Sequence, residues 1–177
     1  VIKGGVVVEI QGIKKYREAL ARTGADDSGA IERCKTRMAA RWRAFIQARW
    51  ETYSRGGGNW KPLKPGYRPG GAILRDTSTM FAAVSPVARG MPGQLEESTG
   101  VLSVAVGFGG PARHPTARNL SIADLAEVHQ LGLGSVPQRK IIVAPDPATR
   151  AGMRDDCERM TKELTRATKV IPRKRKR

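Results

Sequence analysis

The run Ile31-Glu32-Arg33-Cys34-Lys35-Thr36-Arg37-Met38-Ala39-Ala40-Arg41-Trp42-Arg43-Ala44-Phe45-Ile46-Gln47-Ala48-Arg49-Trp50-Glu51-Thr52-Tyr53 decides the fold of this chain. Ile31, Cys34, Met38, Trp42, Phe45 or Ile46, and Tyr53 recur every three or four residues, the period of a helix with one apolar face. Asp26, Asp27 and Ser28 supply a cap and acidic first-turn character, so a long helix is predicted from there to about Tyr53. Arg33, Lys35, Arg37, Arg41, Arg43 and Arg49 could make it a DNA-binding helix. The stripe of large apolar side chains argues instead for packing on a sheet with the arginines outermost.

Working outward, Val6-Val7-Val8-Glu9-Ile10 has the β-branched composition of a strand, and Gly12 admits a short helix through Ile13, Tyr16 and Leu20. Past the long helix, Arg55-Gly56-Gly57-Gly58-Asn59 is an abrupt stop. The three glycines follow a helix rather than a strand and lack a Gly-Lys-Ser/Thr ending, so they do not form a phosphate loop. Residues 55–72 read as an extended arm, with Trp60 as an anchor on a neighbour. A short helix is predicted over Ile73–Phe81, then strands near 83–88 and 101–108, the second alternating as a half-buried strand does.

Loop sequence from Gly109 to Asn119 leads into a helix at Ile122–Leu131, which Gly132 closes and Pro137 prevents from resuming. Lys140–Ala144 reads as a short strand. Asp146-Pro147 starts a final helix to about Ala167, with Met153, Cys157, Met160 and Leu164 on one face. Pro172 then releases a basic tail, Arg173-Lys174-Arg175-Lys176-Arg177. The expected architecture is α+β: an antiparallel β-sheet packed against the long amphipathic helix, with a C-terminal helix and extended loops or arms, in one domain over 1–171 and a tail over 172–177.

The chain has 177 residues and a formal net charge of +16. Self-repulsion of that size calls for an acidic partner, a polyanion or dispersal over an assembly, unless the charge only keeps the protein soluble. No apolar run approaches a membrane span and no long apolar signal core stands at the N-terminus, so no membrane partner is expected. Cys34 and Cys157 form no close-spaced motif and read as buried or neutral thiols of a reducing compartment.

Catalytic chemistry is sparse. His114 and His129 are the two histidines; the first reads as a solvated loop imidazole, and the second diverges from Glu127 on a helix. With Cys34 and Cys157 they match no compact zinc spacing. Asp155, Asp156 and Glu158 lie among Arg154, Arg159 and Lys162, which suggests a salt-laced outer surface. No enzyme, cofactor or metal is expected.

Several separated features fall in order: the long helix, Trp60-Lys61-Pro62-Leu63, Leu74-Arg75-Asp76-Thr77-Ser78-Thr79-Met80, Val104-Ala105-Val106-Gly107, Ala126-Glu127-Val128-His129-Gln130-Leu131-Gly132, and Pro137-Gln138-Arg139. The succession, from about Ala30 to Leu164, resembles the virion morphogenesis or tail completion family of tailed bacteriophages. The family commonly has Thr-Gly-x-Leu where this chain has Thr77-Ser78-Thr79-Met80, and Tyr-Ala where it has Leu125-Ala126.

The resemblance implies a structural virion protein at the head-tail junction, made in the bacterial cytoplasm. It would assemble as a six-fold or twelve-fold ring around the genome path, against portal, adaptor or tail-tube proteins. Trp60 and Tyr67 would contact an adjacent subunit, while His129, Gln130 and Arg139 would hold the turn of a ring-facing loop. His129 would satisfy a nearby backbone group, and Arg139 would pair with a carboxylate across subunits or cap local carbonyls. The tail, Arg173 to Arg177, would touch DNA, dock on an acidic partner or solubilise the end. The competing function is sequence-independent DNA binding by the arginine-bearing helix and the tail.

Overall fold

Helix α1 (Ser28–Ser54) buries Ile31, Cys34, Met38, Trp42, Ile46 and Trp50 along one stripe. Each large side chain so covered is worth roughly 2–3 kcal/mol. The computed structural model describes residues 3–9, 28–66, 71–75, 77–87, 90–95, 103–116 and 119–170. The expected short helix at Ile13–Leu20, Tyr67, and the tail from Arg173 to Arg177 lie outside them.

The stop after α1 works by folding back. The amides of Gly56 and Gly57 donate to the carbonyls of Tyr53 and Thr52 at 3.2 and 2.9 Å. At Gly58 a Cβ would sit 2.2 Å from the Tyr53 ring, so only glycine lets the chain pass there. Trp60 consequently returns onto the helix it has just left, edge-on to Trp50 and Tyr53 with ring centres at 5.9 and 5.7 Å. It is 5% exposed. The expected anchor on a neighbour is thus corrected: this indole is spent in its own core.

Strands β1 (Lys3–Glu9), β2 (Gln94–Leu95) and β3 (Ser103–Phe108) make a small antiparallel sheet in the order β1-β3-β2. Val6 faces Val106 and Val8 faces Val104 in register. All six residues of β3 are buried, where alternation predicted a half-exposed strand. Ser103, Ala105 and Gly107 are small enough for covering elements to close over their face as well.

The expected helix over Ile73–Phe81 shrinks to α2 (Thr79–Ala83), because Leu74 and Ser78 take left-handed φ values of 58° and 56° that a helix cannot contain. Among the described residues no strand forms at 83–87, since Ala83 ends α2 and Val84 caps it. Nor does Lys140–Ala144 join a ladder; the chain bends at Ile142. Helix and strand are thus mixed, with helix dominant and the sheet smaller than expected.

Helix α3 (Ile122–Leu131) has the predicted bounds and lies against β1. Helix α4 (Pro147–Val170) runs along α1 and buries Met153, Met160 and Leu164. Its Asp156 is fully buried and corrects the reading of an outer acidic cluster: Arg41 Nε donates to Oδ2 at 2.5 Å and Arg37 Nε lies 3.4 Å from Oδ1. Arg33 reaches Glu163 at 2.8 Å. Arg33, Arg37 and Arg41, expected to face outward, therefore clasp α4.

Candidate functional site

The local sequence builds a corner at the end of α3. Ser121 and Asp124 form a reciprocal cap, the Asp124 amide donating to Ser121 Oγ at 3.0 Å and the Ser121 amide to Asp124 Oδ2 at 3.3 Å. Gly132 closes the other end at φ 72°, its amide donating to Val128 O at 2.8 Å. A Cβ on Gly132 would stand 2.9 Å from the Gln138 backbone nitrogen, so the returning chain also requires glycine.

Gln130 then stands in for a neighbouring strand. Its Oε1 accepts from the Ile141 and Ile142 amides at 2.7 and 3.0 Å, and its Nε2 donates to Ile142 O at 2.7 Å. Gln138 Nε2 donates to Gln130 O at 3.1 Å, and the Arg139 amide donates to His129 O at 2.7 Å. This is how Lys140–Ala144 does without a ladder here: a side chain satisfies the amides of Ile141 and Ile142.

Beside the corner opens a cleft of about 570 Å³, walled by 61–64 of the arm, by Ala72, Leu74 and 77–80, by the loop around His114, and by 134–137 with Arg139. Both non-glycine residues with left-handed backbones among the described residues, Leu74 and Ser78, line it. Such strain persists where the surroundings hold it, and it clusters at working surfaces.

One wall is a hydrogen-bonded chain. His114 Nδ1 accepts from the Thr116 amide at 3.3 Å, which assigns the proton of a neutral ring to Nε2. Nε2 then faces Thr77 Oγ1 at 3.1 Å, itself 2.8 Å from Thr79 Oγ1. His114 is buried, not the solvated loop imidazole that its Pro-rich surroundings suggested. Proline and glycine neighbours signal irregular backbone, not exposure.

The opposite wall holds the two residues singled out from the sequence. Arg139 is 6% exposed; its guanidinium donates to Lys61 O at 3.2 Å, and its Nε has no hydrogen-bond partner among the described residues. His129 Nδ1 is likewise buried with none, contrary to the expectation that the ring satisfies a backbone group. Burial, and next the charge of Arg139, push the His129 pKa down to about 4. The imidazole is therefore neutral near pH 7. Of the residues expected to meet a partner, His129 and Arg139 share this cleft and Gln130 stands behind it.

Sequence spacing missed a second cluster. Cys34 and Cys157 Sγ lie 4.0 Å apart, each 3.8 Å from Met38 Sδ. The hydrogen bond between the thiols and burial push Cys34 up, while the same bond lowers Cys157. Both cysteines are free. Helical spacing puts Cys34 beside Met38, but nothing local predicts that α4 delivers Cys157 to them.

No group of three or more His, Cys, Asp or Glu residues able to hold a metal occurs among the described residues, nor does any helix there have the length and apolarity to cross a membrane. No family model, curated protein or solved structure matches the chain.

Proposed function

We propose that this chain is a structural subunit of the head-tail junction of a tailed bacteriophage, assembling as a ring around the DNA path with the sheet backed by α1. The observation that carries the reading is the backbone at Ser78. Where the resembled family commonly places glycine, this chain has serine and yet keeps the left-handed conformation, φ 56° and ψ 5°. That conformation costs an L-residue roughly 1–2 kcal/mol, which glycine avoids. The departure in sequence thus leaves intact the backbone feature that a glycine would serve.

Two further features support assembly. Leu131 and Leu133, on either side of Gly132, are 53% and 47% exposed, apolar area that a neighbouring subunit would cover. Arg33, Arg37 and Arg41 are engaged with Glu163 and Asp156, so the competing DNA-binding function loses half of its six helix cations and leans on the tail at 173–177.

Negative-stain imaging of the purified protein tests the proposal, with six-fold or twelve-fold rings expected. A protein that stays monomeric at high concentration and is absent from purified virions overturns it. Truncation after Ile171 that markedly lowers salt-sensitive affinity for duplex DNA would support tail contact with the genome, and unchanged affinity would remove it.

A further inference from the structure

A guanidinium that is nine-tenths buried without a carboxylate is an expensive object. Desolvation of an unpaired ion costs several kcal/mol, and proteins ordinarily offset it with a counter-ion. Along α1 even the more exposed Arg33, Arg37 and Arg41 are paired with carboxylates. Arg139 instead has the Lys61 carbonyl as its hydrogen-bond acceptor, and it has no acid within salt-bridge distance among the described residues. It also lines the cleft, which admits a ligand of considerable size.

The other lining groups sharpen the chemistry. Lys61 and Lys64 are exposed at the arm and add positive charge, while Leu63, Leu125 and Val136 provide apolar wall. A concave site of a few hundred Å³ with apolar walls and a few polar groups suits a small ligand or a short chain segment. It does not suit a duplex backbone, which is broad and strongly hydrated. We infer that the cleft is a docking site for an extended segment of an acidic partner protein, whose carboxylate pairs with Arg139 while an adjacent apolar side chain fills the cleft.

Charge complementarity commits the occupant to a different protein rather than a second copy. The chain has 32 Lys and Arg against 16 Asp and Glu, and Glu32, Asp124, Asp146, Asp156 and Glu163 are already engaged within it. A planar guanidinium that lines the cleft and whose Nε has no partner among the described residues keeps donors to spare for a carboxylate. This docking site stands whether or not the chain forms rings.

The test titrates the full chain with a blocked tetrapeptide alternating leucine and glutamate, following the Arg139 Nε–H resonance by NMR. A shift of that resonance is expected, with affinity falling at least tenfold for the glutamine counterpart of the peptide and for Arg139→Met. Lys64→Glu, at an exposed position where folding is not at risk, should weaken binding severalfold. The inference is overturned if the peptide leaves the resonance unmoved, or if the glutamine peptide binds equally, which would make the cleft merely apolar. Inorganic phosphate binding as tightly as the peptide would make it a phosphate site and overturn it too. So would loss of self-association in Arg139→Met, because the occupant would then be a second copy. Ring images of the wild type, scored separately, decide the assembly reading alone.

Discussion

Along the seam between α1 and α4, Arg33, Arg37 and Arg41 all meet carboxylates, and a fully buried Asp156 is shared between two of them. In the cleft beside the α3 corner, Arg139 is buried more deeply than those three arginines and His129 is half-buried, and neither has a carboxylate partner among the described residues. The seam is paired by charge, although Arg37 Nε and Asp156 Oδ1 make no hydrogen bond there, whereas the cleft holds a guanidinium with no acid in reach among the described residues. Closed networks hold a fold together; an open one costs stability and is retained where something else completes it.

Removing the shared acid gives the largest expected effect. Asp156→Ala removes the buried acid that Arg37 and Arg41 share and, discounted for the partial exposure of both arginines, should lower unfolding free energy by about 2–3 kcal/mol in urea titration. A loss under about 1 kcal/mol would mean that the seam is no more than a surface ion pair. Next comes the corner. Gln130→Leu strands the Ile141 and Ile142 amides, at about 1 kcal/mol each, so a loss of about 2 kcal/mol is expected together with faster hydrogen exchange at both amides. Unaltered exchange would show that the side chain is not their acceptor.

Acid should act on the cleft through His129. Its folded pKa of about 4 lies below the ordinary 6.5, so the unfolded chain binds the proton first as pH falls. The stability tied to this group is intact above pH 6.5, declines between 6.5 and 4, and declines no further below. After discounting for partial solvent screening, the decline amounts to about 1–2 kcal/mol. His129→Gln should flatten that part of the pH–stability curve, and an unchanged curve would assign the slope elsewhere.

Ser78→Gly has the smallest effect and the opposite sign. Relief of the left-handed strain, less the entropy of a free glycine, should stabilise by roughly 0.5–1 kcal/mol. A shift to a lower melting temperature would mean that the serine side chain matters more than the backbone.

The same contrast separates what was legible in the sequence from what was not. The α3 corner was readable because its signals are local: Gly132 at the end, Pro137 beyond it, and helical spacing between. The α1 stripe was readable from period alone. Asp156 was not, since an aspartate among arginines looks solvated until a partner helix 115 residues away in sequence closes over it. Trp60 was misread because fold-back depends on the room that Gly58 leaves beside the Tyr53 ring. Of the cleft, Arg139 and His129 stood out in sequence, whereas the Thr77, Thr79 and His114 wall assembles from segments with no shared pattern.

The most direct test of this account is the unfolding free energy of Arg139→Met, measured beside its binding of the leucine-glutamate peptide. If the guanidinium is kept for a partner, loss of its bond to Lys61 O is offset by relief of a buried charge. Stability should then stay within about 1 kcal/mol of wild type while peptide binding disappears. A loss of about 2 kcal/mol or more with binding unchanged would contradict it, and would make Arg139 a structural residue like the arginines of the seam.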